Sequence, residues 1–217
     1  VTPDWEDSFS GVQVTLQSEA VLVDRGLIIT EVKSDEVALR LSGNRSDLAG
    51  LHSGNIRVVA DVSKIYEPGV HNLTYTVSYP GNIATGAVSV QNKNPDTIQV
   101  VVEQLVSKEV DVFVDFGDPK VPAGYLCDEA NMVVGAQKIT ISGPKSAVDQ
   151  ITQARIQIDL SQHTTPIAGL MPFALCDREG TPVEDDLITK SHGEGISVYL
   201  RIVRIKSIPL EFTVIYG

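Results

Sequence analysis

Residues 39–63 read LRLSGNRSDLAGLHSGNIRVVADVS, and residues 139–161 read ITISGPKSAVDQITQARIQIDLS. Each stretch alternates apolar residues, passes through Ser-Gly and a short mixed segment, resumes the alternation and closes on Asp-hydrophobic-Ser. A chain that spells one pattern twice at this distance builds one structural unit twice. Gly43 answers Gly143 at an offset of 100, while Asp61-Val62-Ser63 answers Asp159-Leu160-Ser161 at 98, because the first copy carries two extra residues around 52–55. The offset of 98 carries Ile98-Gln99-Val100 onto Ile196-Ser197-Val198, Lys108 onto Lys206 and Val110-Asp111-Val112 onto Ile208-Pro209-Leu210. Applied upstream, it carries Gly26-Leu27 onto Gly124-Tyr125, and Val12 and Val14 onto Val110 and Val112. The expected division is residues 1–108 and 109–217, with the final run, about 207–216, opening a further unit. Units of about 100 residues are large enough to bury a core and stand alone.

Period-two alternation dominates both halves. Val37, Leu39, Leu41 and Ile56, Val58, Ala60, Val62 in the first half are answered by Ile139, Ile141 and Ile156, Ile158, Leu160 in the second. Such runs, punctuated by Gly, Pro, Asn and Asp, are half-buried strands. With no long 3.6-period segment between them, they predict an all-β fold of mainly antiparallel strands. Helical spacing shows only after the Ser-Gly pairs, where Leu48 and Leu51, and Val148 and Ile151, stand three apart. One short helical turn per unit is therefore expected, laid on a sheet. Pro144 suits its first position, and Gly43 and Gly143 are read as structural turns where the chain leaves a strand with positive φ.

The composition is that of a folded protein: 42% hydrophobic, 21% charged, mean hydropathy near zero. Twenty-eight acidic against seventeen basic residues give a net charge of −11, which repels phosphate backbones and argues against a nucleic-acid partner. The longest apolar runs fall far short of the ~20 residues needed to cross a bilayer. Val1 and Gly217 read as cut ends, and any membrane attachment would come from an N-terminal helix absent from this chain.

No constellation points to catalysis, a metal or a cofactor. His52, His71, His163 and His192 are scattered, without an HExxH or an i, i+4 pair. The HGEG at 192–195 aligns with Asn94-Pro95-Asp96-Thr97, a strand lead-in. The chain has no GxSxG, P-loop or GxGxxG. Asp177 to Gly180 reads as a hairpin turn and Glu184-Asp185-Asp186 as a solvated face, since neither spaces its oxygens as a calcium loop does. Asn44 and Asn72 open sequons by spelling only. Cys127 and Cys176, aligned with Ile29 and Ser78, either bridge in an oxidising compartment or serve as small buried hydrophobes. Trp5 is the single tryptophan and is placed in a tail, so an aromatic platform for sugars is not expected.

The repeated unit resembles the YbbR-domain family through a K-x-[IV]-x-[VL] opening, the turn Ala123-Gly124-Tyr125, ITISGPKSAVDQI, the Asp-x-Ser strand ends and a closing alternating strand. The first unit departs at Asn44, where the pattern has Pro, and in its loop around His52. The resemblance implies a bacterial protein with an N-terminal transmembrane helix and tandem units outside the cytoplasm. It implies no catalytic residues and no cofactor. The partner it implies is the membrane diadenylate cyclase that makes cyclic di-AMP, or another membrane protein, met by protein contact. A cell-surface or cell-wall binding module is the alternative expectation.

Overall fold

The computed structural model describes residues 4–117 and 120–211. The chain divides into two compact units, Val1–Val106 and Ser107–Gly217. In the first, the elements are β1 (Trp5–Gln17), α1 (Glu19–Asp24), β2 (Leu27–Val32), β3 (Glu36–Gly43), α2 (Arg45–Ala49), β4 (Arg57–Asp61), β5 (Gly69–Leu73), β6 (Tyr75–Ser78) and β7 (Val88–Asn94). The strand β8 (Ile98–Asp115) runs through the division. The second unit continues with β9 (Tyr125–Val134), β10 (Lys138–Pro144), α3 (Lys145–Gln150), β11 (Gln153–Gln157), a 3-10 turn (Leu160–Gln162), β12 (Ile167–Met171), β13 (Ala174–Cys176), β14 (Thr189–Lys190) and β15 (Ile196–Arg204).

The same two sheets are built in each unit. The larger has the order β6-β4-β1-β3-β7 in the first and β13-β11-β8-β10-β14 in the second. The smaller sets β2 and β5 against residues 98–104 of β8 in the first unit and is β12-β15-β9 in the second. Most neighbours are antiparallel, but β1 with β4 and β8 with β11 are parallel. The short helix explains this: β3 and β4 flank β1 on opposite sides, so the connection that holds α2 must carry the chain from one flank of β1 to the other.

Burial follows the alternation. Along β3, Val37, Leu39 and Leu41 are buried while Glu36 and Arg40 face solvent. These side chains join Val12, Val58, Ala60, Ile98 and Val100 in the core of the first unit. Leu48 and Leu51 seal it from the helical side, and Val148 and Ile151 hold the same places in the second unit. At the usual gain of about 25 cal/mol per Å² of buried apolar surface, this shared face is what holds the sheets on one another.

Each larger sheet curls until its edge strands approach. In the first unit Lys93 of β7 lies 4.7 Å from the ring centroid of Tyr75 on β6 and donates to its backbone oxygen at 3.1 Å. The Tyr75 hydroxyl donates to the Pro95 oxygen at 2.7 Å. In the second unit Lys190 of β14 lies 5.2 Å from the ring of Phe173, just ahead of β13. A sheet closed in this way hides part of the edge that would otherwise pair with strangers.

Four sequence expectations are corrected. The first unit has two helices, not one: α1 buries Leu22 alone, so it had no apolar spacing to announce it. Arg25 ties its end down, donating to the oxygens of Ser63 at 2.6 Å and Ile65 at 2.8 Å and stacking on Tyr66 at 4.1 Å. Trp5 opens β1 opposite Gly43 instead of lying in a tail. The register of the first strand also changes. Val58 pairs with Val14, but Ile156, 98 positions after Val58, pairs with Val114, 100 positions after Val14. Val12 and Val14 thus answer Val112 and Val114, because the two-residue shortening follows the helix and cannot shift a strand that precedes it. Fourth, Pro144 is the residue before α3, with ψ at 137°, not its first helical residue. Of the proposed final strand at 207–216, residues 207–211 are not in a strand and residues 212–216 lie outside the described residues.

Candidate functional site

The two Ser-Gly glycines matter by contact, not by turn conformation. Neither Gly43 nor Gly143 has positive φ. A Cβ on Gly43 would stand 2.8 Å from the backbone oxygen of Ala87, and one on Gly143 would stand 3.1 Å from Ile188 Cγ1 and 3.2 Å from the Leu187 oxygen. Both positions lie where β3 and β10 pass a neighbouring segment: at Gly43 the approach leaves no room for a Cβ, and at Gly143 a Cβ enters only if its neighbours give by a few tenths of an ångström. The true left-handed glycines include Gly26 and Gly124, with φ of 70° and 87°. Their carbonyls accept from Leu105 and Ile205, each at 2.8 Å, and so start the smaller sheets in the same way.

The Asp-x-Ser strand ends are also local structure. Asp61 accepts from the Ser63 amide and hydroxyl at 2.9 Å, and Asp159 accepts from the Ser161 amide at 2.9 Å. Bonding to the Ser63 amide and hydroxyl holds the Asp61 carboxyl below its ordinary range, and the Ser161 hydroxyl and amide do the same for Asp159. Asp177 accepts from the amides of Glu179 and Thr181, and Gly180 takes φ of 86°, so this acidic run is a tight turn.

The histidines stay apart in the fold. His52 accepts from the Gly54 amide within a turn, His71 bonds the Glu67 oxygen from β5, and His192 bonds the Ser191 hydroxyl ahead of β15. His163 follows the 3-10 turn. Among the described residues, no group of three or more His, Cys, Asp or Glu is placed to hold a metal ion. Both cysteines are free thiols, Cys127 half-buried on β9 and Cys176 buried on β13, in different sheets. Burial pushes both thiols up, with Glu129 and Asp128 adding to the effect at Cys127.

Concave surface occurs in three places of interest. A cleft of about 530 Å³ in the first unit lies between β4 and β5 and is lined by Asp61, Lys64, His71, Asn72 and Thr76 among others, without a Phe, Tyr or Trp. In the second unit, clefts of about 440 and 400 Å³ share Leu126, Cys127 and Glu129 of β9. Sequence reasoning missed these, since residues 125–134, YLCDEANMVV, show no sustained period-two alternation to announce a strand. Its register jumps between Tyr199 and Arg201 of β15, opposite Val133 and Asp128, so residues 129–132 bulge from the sheet.

Residues 12–102 match the family described as YbbR-like protein. Two solved structures resemble the chain. A YbbR-like protein from Streptococcus pneumoniae is 15% identical with a TM-score of 0.46, covering 94% of this chain and 98% of its own. A Streptococcus thermophilus protein determined in solution is 16% identical with a TM-score of 0.36, covering 50% of this chain and 95% of its own. No curated protein matches the chain.

Proposed function

Since residues 12–102 are a YbbR-like domain, we propose that the chain is a non-catalytic extracytoplasmic module of a membrane-anchored bacterial protein. In this reading it regulates a membrane diadenylate cyclase, and so cyclic di-AMP synthesis, by protein contact. The family match is the observation that carries it. The second unit is then a further repeat of the same kind, a reading supported by its identical sheet order.

The mechanism follows from which side of the membrane each part occupies. A module outside the cytoplasm cannot touch an active site inside it, so it acts by favouring one arrangement of a membrane-embedded partner over another. The excess of acidic residues disfavours direct binding of a dianionic dinucleotide. The wall-binding alternative is less well supported: the exposed ring of Tyr66 is stacked by Arg25 and that of Trp5 by Arg45, and neither lines a cleft.

The test compares two forms of the protein. Fused to a membrane helix and co-expressed with the cyclase, residues 1–217 change cellular cyclic di-AMP; the soluble chain neither binds the dinucleotide in calorimetry nor alters an isolated catalytic domain. Dinucleotide binding by the soluble chain, or unchanged cellular levels with the anchored form, refutes the proposal.

A further inference from the structure

The open edge of β9 in the second unit has the features of a strand-docking site. Among the described residues β9 pairs with β15 alone. The bond from the Ile205 amide to the Gly124 oxygen fixes which β9 residues face β15. By the alternation of an antiparallel ladder, Leu126 and Asp128 turn their amides and carbonyls toward β15, and Cys127 turns its own outward. Tyr125 also faces outward, and its amide is already bonded to the Pro122 oxygen at 3.1 Å. The edge therefore offers the donor and acceptor of Cys127 and the carbonyl of Tyr125.

Side chains on either face of this edge are matched by hollows. The strand alternates, so Cys127, opposite buried Ile202, points to the inner face, and Leu126, opposite Val203, points outward. The cleft of about 440 Å³ adds Val114 and Leu160 to the inner side, and the cleft of about 400 Å³ adds Val203 and Ala130 to the outer side. An edge with one hollow on each face is the geometry by which added strands are recognised: backbone bonds supply affinity, and alternate side chains enter pockets.

Charge narrows the occupant. Besides Glu129, which borders both hollows, each is lined by one acid and one base, Asp115 and Lys120 on the inner side and Asp128 and Arg201 on the outer, so Glu129 is the surplus charge of the edge. We propose that β9 captures an extended segment of a protein partner in which apolar residues alternate with lysine or arginine. The apolar side chains fill a hollow, and the basic ones meet Glu129. This deepens the protein-contact reading above and supplies a surface for it.

The probe is a capped, fluorescent peptide of about six residues alternating valine and lysine, long enough to span the edge, titrated against the whole chain. Binding is expected, with a loss of at least about tenfold when the peptide backbone is N-methylated or when Glu129→Lys replaces the wild type. Glu129 is exposed, so that variant keeps its fold. Bound peptide should also slow alkylation of Cys127, the more accessible of the two thiols. No binding, binding indifferent to N-methylation or to Glu129→Lys, or unchanged alkylation overturns the proposal. In cells, cyclase control that survives Glu129→Lys in the anchored protein rejects this edge but leaves the regulatory reading standing, whereas wild type without effect on cyclic di-AMP rejects that reading.

Discussion

In the first unit Lys93 reaches Tyr75 through both ring and backbone, and the Tyr75 hydroxyl reaches on to Pro95; in the second, Lys190 only approaches the ring of Phe173, from 5.2 Å. Both clasps join the two edges of a five-stranded sheet, yet one adds two hydrogen bonds that the other lacks. Phenylalanine has no hydroxyl to give, and β14 spans only Thr189–Lys190 where β7 spans Val88–Asn94. The fold therefore conserves the act of closing the sheet while the chemistry of closure varies. The first unit has the fuller clasp, each smaller sheet has an edge strand with a bulge in its pairing, β2 in the first unit and β9 in the second, and the paired hollows lie along β9.

The harshest way to break the comparison is through the cores. Leu41→Ala and Ile141→Ala, both fully buried, should each cost about 2–5 kcal/mol. In denaturant titrations Leu41→Ala should move the fluorescence transition of Trp5, which reports on the first unit, while Ile141→Ala should move only the remaining far-UV circular dichroism. Equal movement of the Trp5 signal in both variants would mean that the units unfold as one body, and the comparison would lose its meaning.

A smaller effect separates the two Ser-Gly glycines. Gly43→Ala presses a methyl group on the Ala87 backbone at 2.8 Å, while Gly143→Ala first meets a side-chain carbon of Ile188 at 3.1 Å. Overpacking of this kind costs about 1–3 kcal/mol. The first variant should lie at the upper end and the second at the lower, because a backbone carbonyl yields less than the end of a side chain. Thermal melts that reverse this order would show that the Leu187 backbone is the tighter wall.

The clasps themselves come next. Tyr75→Phe removes the bond to Pro95 and should cost about 1 kcal/mol, bringing the first unit closer to the second. Lys190→Met should cost less, about 0.5 kcal/mol, as an exposed cation over an aromatic ring does. A Lys190→Met loss larger than that of Tyr75→Phe would invert the ranking of the two closures.

The gentlest probe is alkaline pH. Burial, helped by Asp96, pushes the Tyr75 phenol up, so its neutral form is favoured in the fold. That contribution is complete below the ordinary phenol value of about 10 and is lost as pH rises through the raised folded value. In the second unit the raised thiols of Cys127 and Cys176 act with the same sign from about 8.5 upward. Stability curves against pH should show the second unit weakening first, and Tyr75→Phe should flatten the loss near pH 10 in the first. A first unit that weakens ahead of the second would contradict this assignment.

Much of the fold was legible because burial follows side-chain alternation, a local property. Val37, Leu39 and Leu41, and Ile139 and Ile141, lie in the cores their spacing announced, and α2 and α3 stand where Leu48 and Leu51, and Val148 and Ile151, placed them. The helix α1 was not legible, since its one buried residue makes no pattern and its anchor, Arg25, works on loop carbonyls about forty positions away. Neither was the shared edge of the two β9 clefts, which depends on a bulge set by pairing with β15.

The sequence by itself determined the all-β class and the resemblance to the YbbR-like domains, because each is written in spacings within a few tens of residues. Only the tertiary structure decided that β1 and β4 run parallel, that Gly43 and Gly143 serve close approach and not a turn, and which strands lie at the sheet edges. The reason is that strand partners are chosen by contacts distant in sequence. Alternation tells a residue which face to occupy but not which neighbour it will meet there.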